Sequence, residues 1–420
     1  MDKFVIEGGH RLTGKIAVSG SKNALLALIP ATILAPGTYT LYNSPNLRDV
    51  WTFTRLFGSM GVHAELNNNE LFLDSRNITS FEAPYEHVKK MRASIYALGP
   101  LVARYGQAKI SLPGGCAFGP RPVDLHLKGM EKLGATIDLD AGYINARADR
   151  LHGAKIHFDI SSVGATVNIL LAASLAKGTS ILTNAALEPE VTALARMLVK
   201  MGAKIDGIGT TTMEVQGVDE LRPVDETNIP DRIEAATFLI AAAMTRGKIT
   251  MTNVNPYHMT QVLSCMEDVG CTLDVTGDTI ELEMNDAPRP SHINTAPYPG
   301  FPTDVQAQWS AFMCCADGVS RTTDIIYPTR FGYAPEMTRL GAQIEMVDST
   351  AIITGGKPLK GATVMSSDLR ASASLVLAAL VAEGKSEVLR VYHLDRGYEK
   401  MEQRLTALGA RITRIGTEDY

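Results

Sequence analysis

One pattern occurs six times along this chain. An amphipathic helix closes on a glycine and leads into a β-prone run, as in LVKMGAKI at 198–205. A fixed period of this kind decides the fold class before any other feature does, because each repeat must be one supersecondary unit. Successive glycines of the pattern lie 68 to 73 residues apart. They are Gly61, Gly134, Gly202, Gly270, Gly341 and Gly409.

Each repeat also carries a second helix, rich in Ala and Leu and again closed by glycine. Such helices are apolar nearly all round, which predicts that they are buried, with strands packed over them. Gly directly after the last apolar position is a helix-end signal, since left-handed backbone costs it nothing. The sequence therefore predicts an α/β protein of six βαβαββ-type repeats. The second helices occupy 24–37, 93–106, 165–178, 235–247, 307–318 and 371–384.

Six repeats can form a solenoid or a globular assembly. A unit of about 70 residues is longer than the usual solenoid period of roughly 20 to 50. The segment 217–230, which contains Pro223, Asp225, Glu226 and Pro230, separates three repeats from three. We therefore predict two globular lobes of three repeats each, with a cleft between them.

Composition excludes several classes of protein. The 420 residues carry a formal charge of -5, 45% apolar residues and only 6% aromatic residues. This balance argues against disorder and against a nucleic-acid surface, which needs a basic face with stacking rings. No apolar stretch reaches the roughly 20 residues of a membrane span, and the first nine residues lack a signal-peptide pattern. Five cysteines form no disulfide framework or metal motif, so we expect a cytoplasmic protein.

The residues before the apolar helices are the first candidates for function. Helix N-termini offer unpaired N–H groups and the positive end of the dipole, so Ser and Asp there are ordinary caps. A cation at such a place opposes the dipole. Lys22, Arg92 and Arg370 stand at equivalent helix starts, which indicates that an anion binds there.

A second candidate is the loop around Cys116. Three glycines and three prolines within 113–122 predict a loop, and Cys116 is its one reactive side chain. Small neighbours and the nearby Arg121 are the setting of an exposed, electrostatically tuned thiol. The remaining cysteines lie on apolar helices or strands and are expected to be inert core residues: Cys265, Cys271, Cys314 and Cys315.

Eight segments resemble those of the enolpyruvyl transferase family, and they span essentially the whole chain. The segments are GSKNA at 20–24, MRAS at 91–94, LPGGC at 112–116, RPVDLH at 121–126, SVGAT at 162–166, FPTD at 301–304, DLRAS at 368–372 and DRGYE at 395–399. The resemblance implies a two-lobed inside-out α/β barrel. Its first lobe would take in 22–229, with the cysteine loop at 112–122, and its second lobe 1–21 with 230–420.

The activity that the resemblance implies is transfer of the enolpyruvyl group of phosphoenolpyruvate to the 3′-hydroxyl of UDP-N-acetylglucosamine, with release of phosphate. This is the first committed step of peptidoglycan synthesis. The two substrates are the implied partners; no cofactor, metal, nucleic acid or membrane insertion is implied, and a monomer is expected. Within the family, 5-enolpyruvylshikimate-3-phosphate synthase is the alternative, although it lacks a catalytic cysteine in such a loop. A non-catalytic sugar-nucleotide sensor is the alternative from another class.

By resemblance, Cys116 is the general acid and forms a covalent adduct with phosphoenolpyruvate, while Asp304 takes the proton of the 3′-hydroxyl. Catalytic roles also fall on Lys22 and Arg396. The implied phosphate ligands are Lys22, Arg121 and Arg396, the carboxylate ligands are Arg330 and Arg370, and Asn23 faces the reacting hydroxyl. The implied contacts to the nucleotide sugar are Arg92, Arg121, Pro122, Val123, Asp124, Leu125, Ser162, Val163, Gly164, Asp304 and Ile326.

One position departs from the family pattern. Family members carry a lysine just before the 161–164 loop, and this chain has Ile160 there. We expect the corresponding contact to the diphosphate to be lost or to be supplied by another side chain.

Overall fold

The computed structural model describes residues 2–88, 91–112 and 123–416, and gives the backbone but not the side chain of Arg92. The α-helices in these ranges are α1 Lys22–Ala31, α2 Arg48–Ser59, α3 Tyr85–Val88, α4 Leu98–Tyr105, α5 Asp124–Lys132, α6 Val163–Ala173, α7 Pro189–Met201, α8 Arg232–Met244, α9 Thr260–Asp268, α10 Gln306–Met313, α11 Ala334–Arg339, α12 Leu369–Val381 and α13 Met401–Ala407. Short 3-10 helices occupy Arg92–Ala97, Pro256–His258, Thr303–Val305 and Val391–Arg396.

The strands of the same ranges are mostly five residues long. They are β1 Lys3–Glu7, β2 Thr13–Ala17, β3 Thr38–Tyr42, β4 His63–Asn67, β5 Glu70–Asp74, β6 Glu82–Ala83, β7 Gln107–Ser111, β8 Thr136–Asp140, β9 Tyr143–Arg147, β10 Lys155–His157, β11 Thr179–Thr183, β12 Lys204–Asp206, β13 Thr212–Gln216, β14 Glu226–Thr227, β15 Lys248–Thr252, β16 Thr272–Thr276, β17 Thr279–Glu283, β18 His292–Asn294, β19 Val319–Thr323, β20 Gln343–Val347, β21 Thr350–Thr354, β22 Thr363–Met365, β23 Lys385–Leu389 and β24 Arg411–Ile415.

The described strands form six four-stranded sheets with one common topology. The orders are β14-β3-β5-β4, β6-β7-β9-β8, β10-β11-β13-β12, β2-β15-β17-β16, β18-β19-β21-β20 and β22-β23-β1-β24. In each sheet the first pair is parallel and the other two pairs are antiparallel. The prediction of an α/β protein with six βαβαββ repeats is confirmed.

The chain divides into two compact units. The first unit is Gly20–Ile229, and the second unit is Met1–Ser19 with Pro230–Tyr420. The chain passes from one unit to the other twice, because two strands belong to sheets of repeats that are distant in sequence. Strand β14 pairs with β3 in the first unit, and β2 pairs with β15 in the second. Each unit has its own apolar core.

Within each unit the predicted apolar helices form the interior. In the second unit α8, α10 and α12 contact one another. Nearly every residue of these three helices is buried, whereas the surrounding strands alternate buried and exposed positions. The arrangement places helices inside and sheets outside. The six repeat glycines all have positive φ, from 90° at Gly341 to 113° at Gly202, as their helix-end positions predicted.

None of the helices in the described part of the chain combines the length and the apolar character that crossing a bilayer requires.

Candidate active site

The candidate site residues fall into two groups, one in each unit. Three of them, Cys116, Arg121 and Pro122, lie outside the described residues, and for Arg92 only the backbone is described.

Lys22 is the first residue of α1, directly after the cap Ser21, whose Oγ accepts a hydrogen bond from the N–H of Ala24 at 3.2 Å. The Lys22 ammonium lies 3.1 Å from Oδ2 of Asp49, and the two side chains are only 11% and 5% exposed. Asp49 stands in the first turn of α2, where the helix dipole favours a carboxylate. The predicted cation at the helix start is therefore held against a buried anion, with Asn23 next to it and partly exposed.

The predicted nucleotide-sugar segments meet within the first unit. Ser162 caps α6 by accepting from the N–H of Ala165 at 3.3 Å. A Cβ on Gly164 would lie 3.1 Å from Nε2 of His126, so the start of α6 packs closely on the segment that begins α5. His126 is buried and lies 3.0 Å from the amide of Asn168 on α6. This contact joins the segment Val123, Asp124 and Leu125 to the segment Ser162, Val163 and Gly164.

Ile160 is 70% exposed, an unusual exposure for an isoleucine. Beside it, Asp159 lies 3.7 Å from the ammonium of Lys128, which is also 3.9 Å from Asp124. Both pairs are largely exposed, so each contributes little to stability. Lys128 is thus a cation held near position 160 by two carboxylates.

In the second unit, Asp304 lies between two arginines. Its Oδ1 is 2.7 Å from Nη1 of Arg330, and its Oδ2 is 3.0 Å from Nη2 of Arg370. The side chains of Arg330 and Arg370 are 12% and 6% exposed. Two buried guanidinium groups side by side form the kind of donor set that binds carboxylates and phosphates.

Arg370 stands at the start of α12, where Asp368 caps the helix. Oδ1 of Asp368 accepts from the N–H groups of Arg370 and Ala371 at 2.9 and 3.0 Å. Burial alone would lower the pKa of Arg370, but the interactions with Asp304, Tyr398 and Asp231 together outweigh it and the pKa is raised. The guanidinium therefore stays charged in its buried position.

A buried carboxylate, Asp324, ties Ile326 to the turn that carries Asp304. It accepts from the backbone N–H of Ile326 at 3.0 Å and from the Thr303 hydroxyl at 2.6 Å. Nη1 of Arg330 donates to the same hydroxyl at 3.1 Å. Three of the predicted residues, Ile326, Arg330 and Asp304, are in this way brought together.

Arg396 ends the 3-10 helix Val391–Arg396 and is partly buried. The next residue, Gly397, lies so close to α12 that a Cβ there would be 2.7 Å from the Leu369 side chain. Two residues after Arg396, Tyr398 accepts a hydrogen bond from Nη1 of Arg370 at 3.2 Å. The segment with Arg396 is therefore packed against the start of α12.

Sequence reasoning missed three buried polar residues of these groups: Asp49, Asp324 and Tyr398. Asp49 has a local signal, because it is an acidic residue in the first turn of an amphipathic helix. Asp324 directly follows β19 and accepts hydrogen bonds from the backbone N–H groups two and three residues later, as aspartates in turns do. Tyr398 belongs to the segment DRGYE, in which only Arg396 was given a role.

The four cysteines expected to be inert are free thiols. Burial raises the pKa of Cys271 to about 12 and that of Cys315 to about 11, and it also raises the pKa of Cys265 and Cys314. A thiol that stays protonated is a poor nucleophile. Cys265, Cys271 and Cys314 are buried, as expected of core residues, whereas Cys315 is only partly buried.

Comparison with known proteins gives consistent results. The family model described as EPSP synthase (3-phosphoshikimate 1-carboxyvinyltransferase) matches residues 6–405. A relative from Chloroherpeton thalassium, named UDP-N-acetylglucosamine 1-carboxyvinyltransferase, is 56% identical over 100% of this chain and 99% of its own length. A protein of the same name from Chlorobium chlorochromatii is 55% identical, with 100% of both chains covered.

Solved structures agree on the fold. The enolpyruvyl transferase NikO from Streptomyces tendae matches with a TM-score of 0.90 at 28% identity, covering 98% of each chain. EPSP synthase from Acinetobacter baumannii matches with a TM-score of 0.77 at 19% identity, covering 99% of this chain and 100% of its own. At that identity the second match is evidence of fold alone.

Proposed function

The chain belongs to the enolpyruvyl transferase family and, within it, to the UDP-N-acetylglucosamine 1-carboxyvinyltransferases; from this premise we propose that it transfers the enolpyruvyl group of phosphoenolpyruvate to the 3′-hydroxyl of UDP-N-acetylglucosamine. Phosphate is the second product, and the reaction begins peptidoglycan synthesis. The observation that carries the proposal is the similarity over the full length to relatives of that name. It identifies the family expected from the eight sequence segments.

The reaction is an addition followed by an elimination. In the addition, C3 of phosphoenolpyruvate gains a proton and the 3′-oxygen of the sugar forms a bond to C2 while it loses its own proton. In the elimination, C3 loses a proton and the C2–O bond to phosphate breaks, so that the double bond returns in the product. The protein must therefore supply an acid, a base and cations for a phosphate and a carboxylate.

Asp304 is the proposed base. Two buried guanidinium groups hold its carboxylate in the second unit, and both are also the proposed ligands of the phosphoenolpyruvate carboxylate, Arg330 and Arg370. An incoming carboxylate then competes with Asp304 for these donors. A carboxylate that gives up a guanidinium partner is a better acceptor for the hydroxyl proton. In this proposal substrate binding and activation of the base are one event.

The remaining roles extend the proposal to residues of both units. Lys22, Arg121 and Arg396 bind the phosphate that leaves, and Asn23 faces the reacting hydroxyl. Cys116 is the acid that protonates C3. The nucleotide sugar contacts Arg92, the segment 121–125, the segment 162–164 and Ile326. The packing of Gly164 on His126 supports the joint use of the two segments in the first unit.

The proposal places the protein in the cytoplasm as a monomer. The four free thiols among the described residues are in keeping with a reducing compartment.

The test is phosphate release from phosphoenolpyruvate in three reactions: with UDP-N-acetylglucosamine, with shikimate 3-phosphate, and with neither. We expect release only with the sugar nucleotide. Release with shikimate 3-phosphate would replace the proposal by the sister activity, and binding of the sugar nucleotide without any release would indicate a sensor. Cys116→Ser should abolish turnover, whereas Cys116→Asp should retain it with an optimum at lower pH, because an acid can replace the thiol and a hydroxyl cannot.

A further inference from the structure

A buried hydrogen-bonded group lies directly behind Arg370 and Asp304 in the second unit. It consists of Tyr398, Thr237 on α8 and Gln308 on α10, and we call it the Tyr398 cluster. All three side chains are at most 1% exposed. None of the three belongs to the predicted catalytic or substrate-binding residues.

The direction of the hydrogen bonds in the cluster follows from its acceptors. Thr237 Oγ1 donates its one hydrogen to the carbonyl of Ile233 at 2.8 Å. The hydrogen in the 2.8 Å contact between Thr237 and Tyr398 therefore comes from the tyrosine hydroxyl. The tyrosine oxygen is left to accept from Nη1 of Arg370 at 3.2 Å. Burial raises the pKa of Tyr398, against the lowering effect of the Arg370 charge, so the phenol stays neutral.

Gln308 connects the same cluster to Asp304. Its Nε2 donates to the backbone carbonyl of Asp304 at 3.0 Å, and it also lies 3.1 Å from Thr237 Oγ1 and 3.3 Å from the Tyr398 hydroxyl. A carbonyl oxygen only accepts, so the orientation of the amide is fixed by this contact. The cluster thus holds the side chain of Arg370 and the backbone of Asp304 at the same time.

Arg370 is fixed at both of its terminal nitrogens. Nη1 donates to Tyr398 and Nη2 to Asp304. Its other guanidinium N–H groups have no hydrogen-bond acceptor within residues 2–88, 91–112 and 123–416. A buried guanidinium whose plane is held by two partners offers those donors in one defined direction, which reduces the entropy lost when a carboxylate binds.

We propose that Tyr398 is a positioning residue, which orients the Arg370 guanidinium for the carboxylate of phosphoenolpyruvate, and that Gln308 and Thr237 hold it in place. The inference rests on the proposed function for the identity of the substrate. It adds to that function an explanation of how one of the proposed substrate-binding side chains, that of Arg370, is oriented.

The second unit contains a matched control. Tyr333 is also a buried tyrosine, and its hydroxyl forms hydrogen bonds to two residues of helix α10. Gln306 donates to it at 3.0 Å, and it donates to Ser310 at 2.7 Å. No contact to an arginine or to Asp304 is described for that hydroxyl. Tyr333→Phe therefore removes a comparable buried hydroxyl without touching the guanidinium.

The kinetic test compares Tyr398→Phe with Tyr333→Phe by phosphate release at saturating UDP-N-acetylglucosamine. We expect Tyr398→Phe to raise KM for phosphoenolpyruvate about tenfold, the size of one hydrogen bond to a charged group, with a small change in kcat. Tyr333→Phe should leave both constants within about twofold while it loses a similar neutral hydrogen bond. In the Arg370→Lys background, Tyr398→Phe should have little further effect on KM, since its role acts through the guanidinium.

A second measurement does not depend on turnover. In protein with ¹⁵N-labelled arginine, the Arg370 signals, assigned by their loss in Arg370→Lys, should show slow rotation about the guanidinium bond in the native protein and in Tyr333→Phe. Tyr398→Phe should make the rotation fast. If the native protein releases no phosphate, the proposed function fails while this measurement still decides the positioning role. Unchanged KM and unchanged rotation in Tyr398→Phe, or equal effects of Tyr333→Phe, would overturn the inference.

Discussion

The two units share one repeat, but the charged residues at their helix starts are paired in different ways. In the first unit the ammonium of Lys22, at the start of α1, is paired with the buried carboxylate of Asp49. In the second unit the carboxylate of Asp304 bridges two buried guanidinium groups, those of Arg330 and Arg370. In the proposed mechanism Asp304 and Asp49 have different tasks, proton transfer for the first and orientation of a cation for the second.

The largest effect expected from this comparison separates the two carboxylates. Asp304→Asn removes the proposed base while preserving shape, and we expect kcat to fall by about 100-fold or more. Asp49→Asn removes the carboxylate that is paired with Lys22 and should lower kcat/KM for phosphoenolpyruvate by about tenfold, with a smaller effect on kcat. Steady-state phosphate release on both variants measures the difference. Equal losses of kcat would contradict the distinction between the units.

The sequence predicted much of the fold and less of the site, for a physical reason. The repeat glycines and the apolar helices are local patterns, and each has the predicted conformation, such as positive φ at Gly202 after α7. The partner of Lys22 lies 27 residues away, and the partners of Asp304 lie 26 and 66 residues away. Such pairs depend on how the repeats pack. From a single sequence one can infer that a buried charged side chain needs a partner, but not which residue supplies it.

The repeat glycines offer a second comparison between equivalent positions of the two units. Both Gly61 and Gly341 have positive φ, at 106° and 90°. A Cβ at Gly61 would lie 2.1 Å from the carbonyl oxygen of Asn77, whereas none of the described atoms would lie within 4 Å of one at Gly341. We expect Gly341→Ala to cost about 1 kcal/mol through backbone strain, and Gly61→Ala about 4 kcal/mol through strain and overpacking. Urea unfolding of both variants measures the free energies, and equal costs would show that the backbone relaxes at Gly61.

The pH dependence of stability should also differ between the units, because Glu234 lies in the second. Burial raises the pKa of Glu234 to about 7, although the charge of Arg404 and the N–H of Ser19 act against the shift. The native carboxyl therefore keeps its proton up to about pH 7, whereas an unfolded chain releases it near its usual 4.5. Between these values the native state binds more protons, so this contribution to stability is lost as the pH rises.

Glu234→Gln removes that titration. Relative to this variant, the native protein should lose up to about 3 kcal/mol of stability between pH values near 5 and near 8. Hydrogen exchange at the two pH values, after correction for the intrinsic rate, should place the loss in 1–19 and 230–420. Parallel stability curves for the variant and the native protein would contradict the raised pKa.

The smallest expected effect concerns two serine caps of the first unit, Ser21 and Ser162. Each accepts a hydrogen bond from the N–H three residues on, at 3.2 and 3.3 Å. Replacing either by alanine should cost about 1 kcal/mol of stability, because one orphan donor of the helix loses its partner. Only Ser162 belongs to the segment that we assign to the nucleotide sugar, so Ser162→Ala should also weaken UDP-N-acetylglucosamine binding severalfold, and Ser21→Ala should not. Calorimetric titration of both variants with UDP-N-acetylglucosamine decides whether Ser162 also binds the ligand or only caps its helix. Equal affinities of the two variants would leave Ser162 with the structural role only and would remove it from the proposed site.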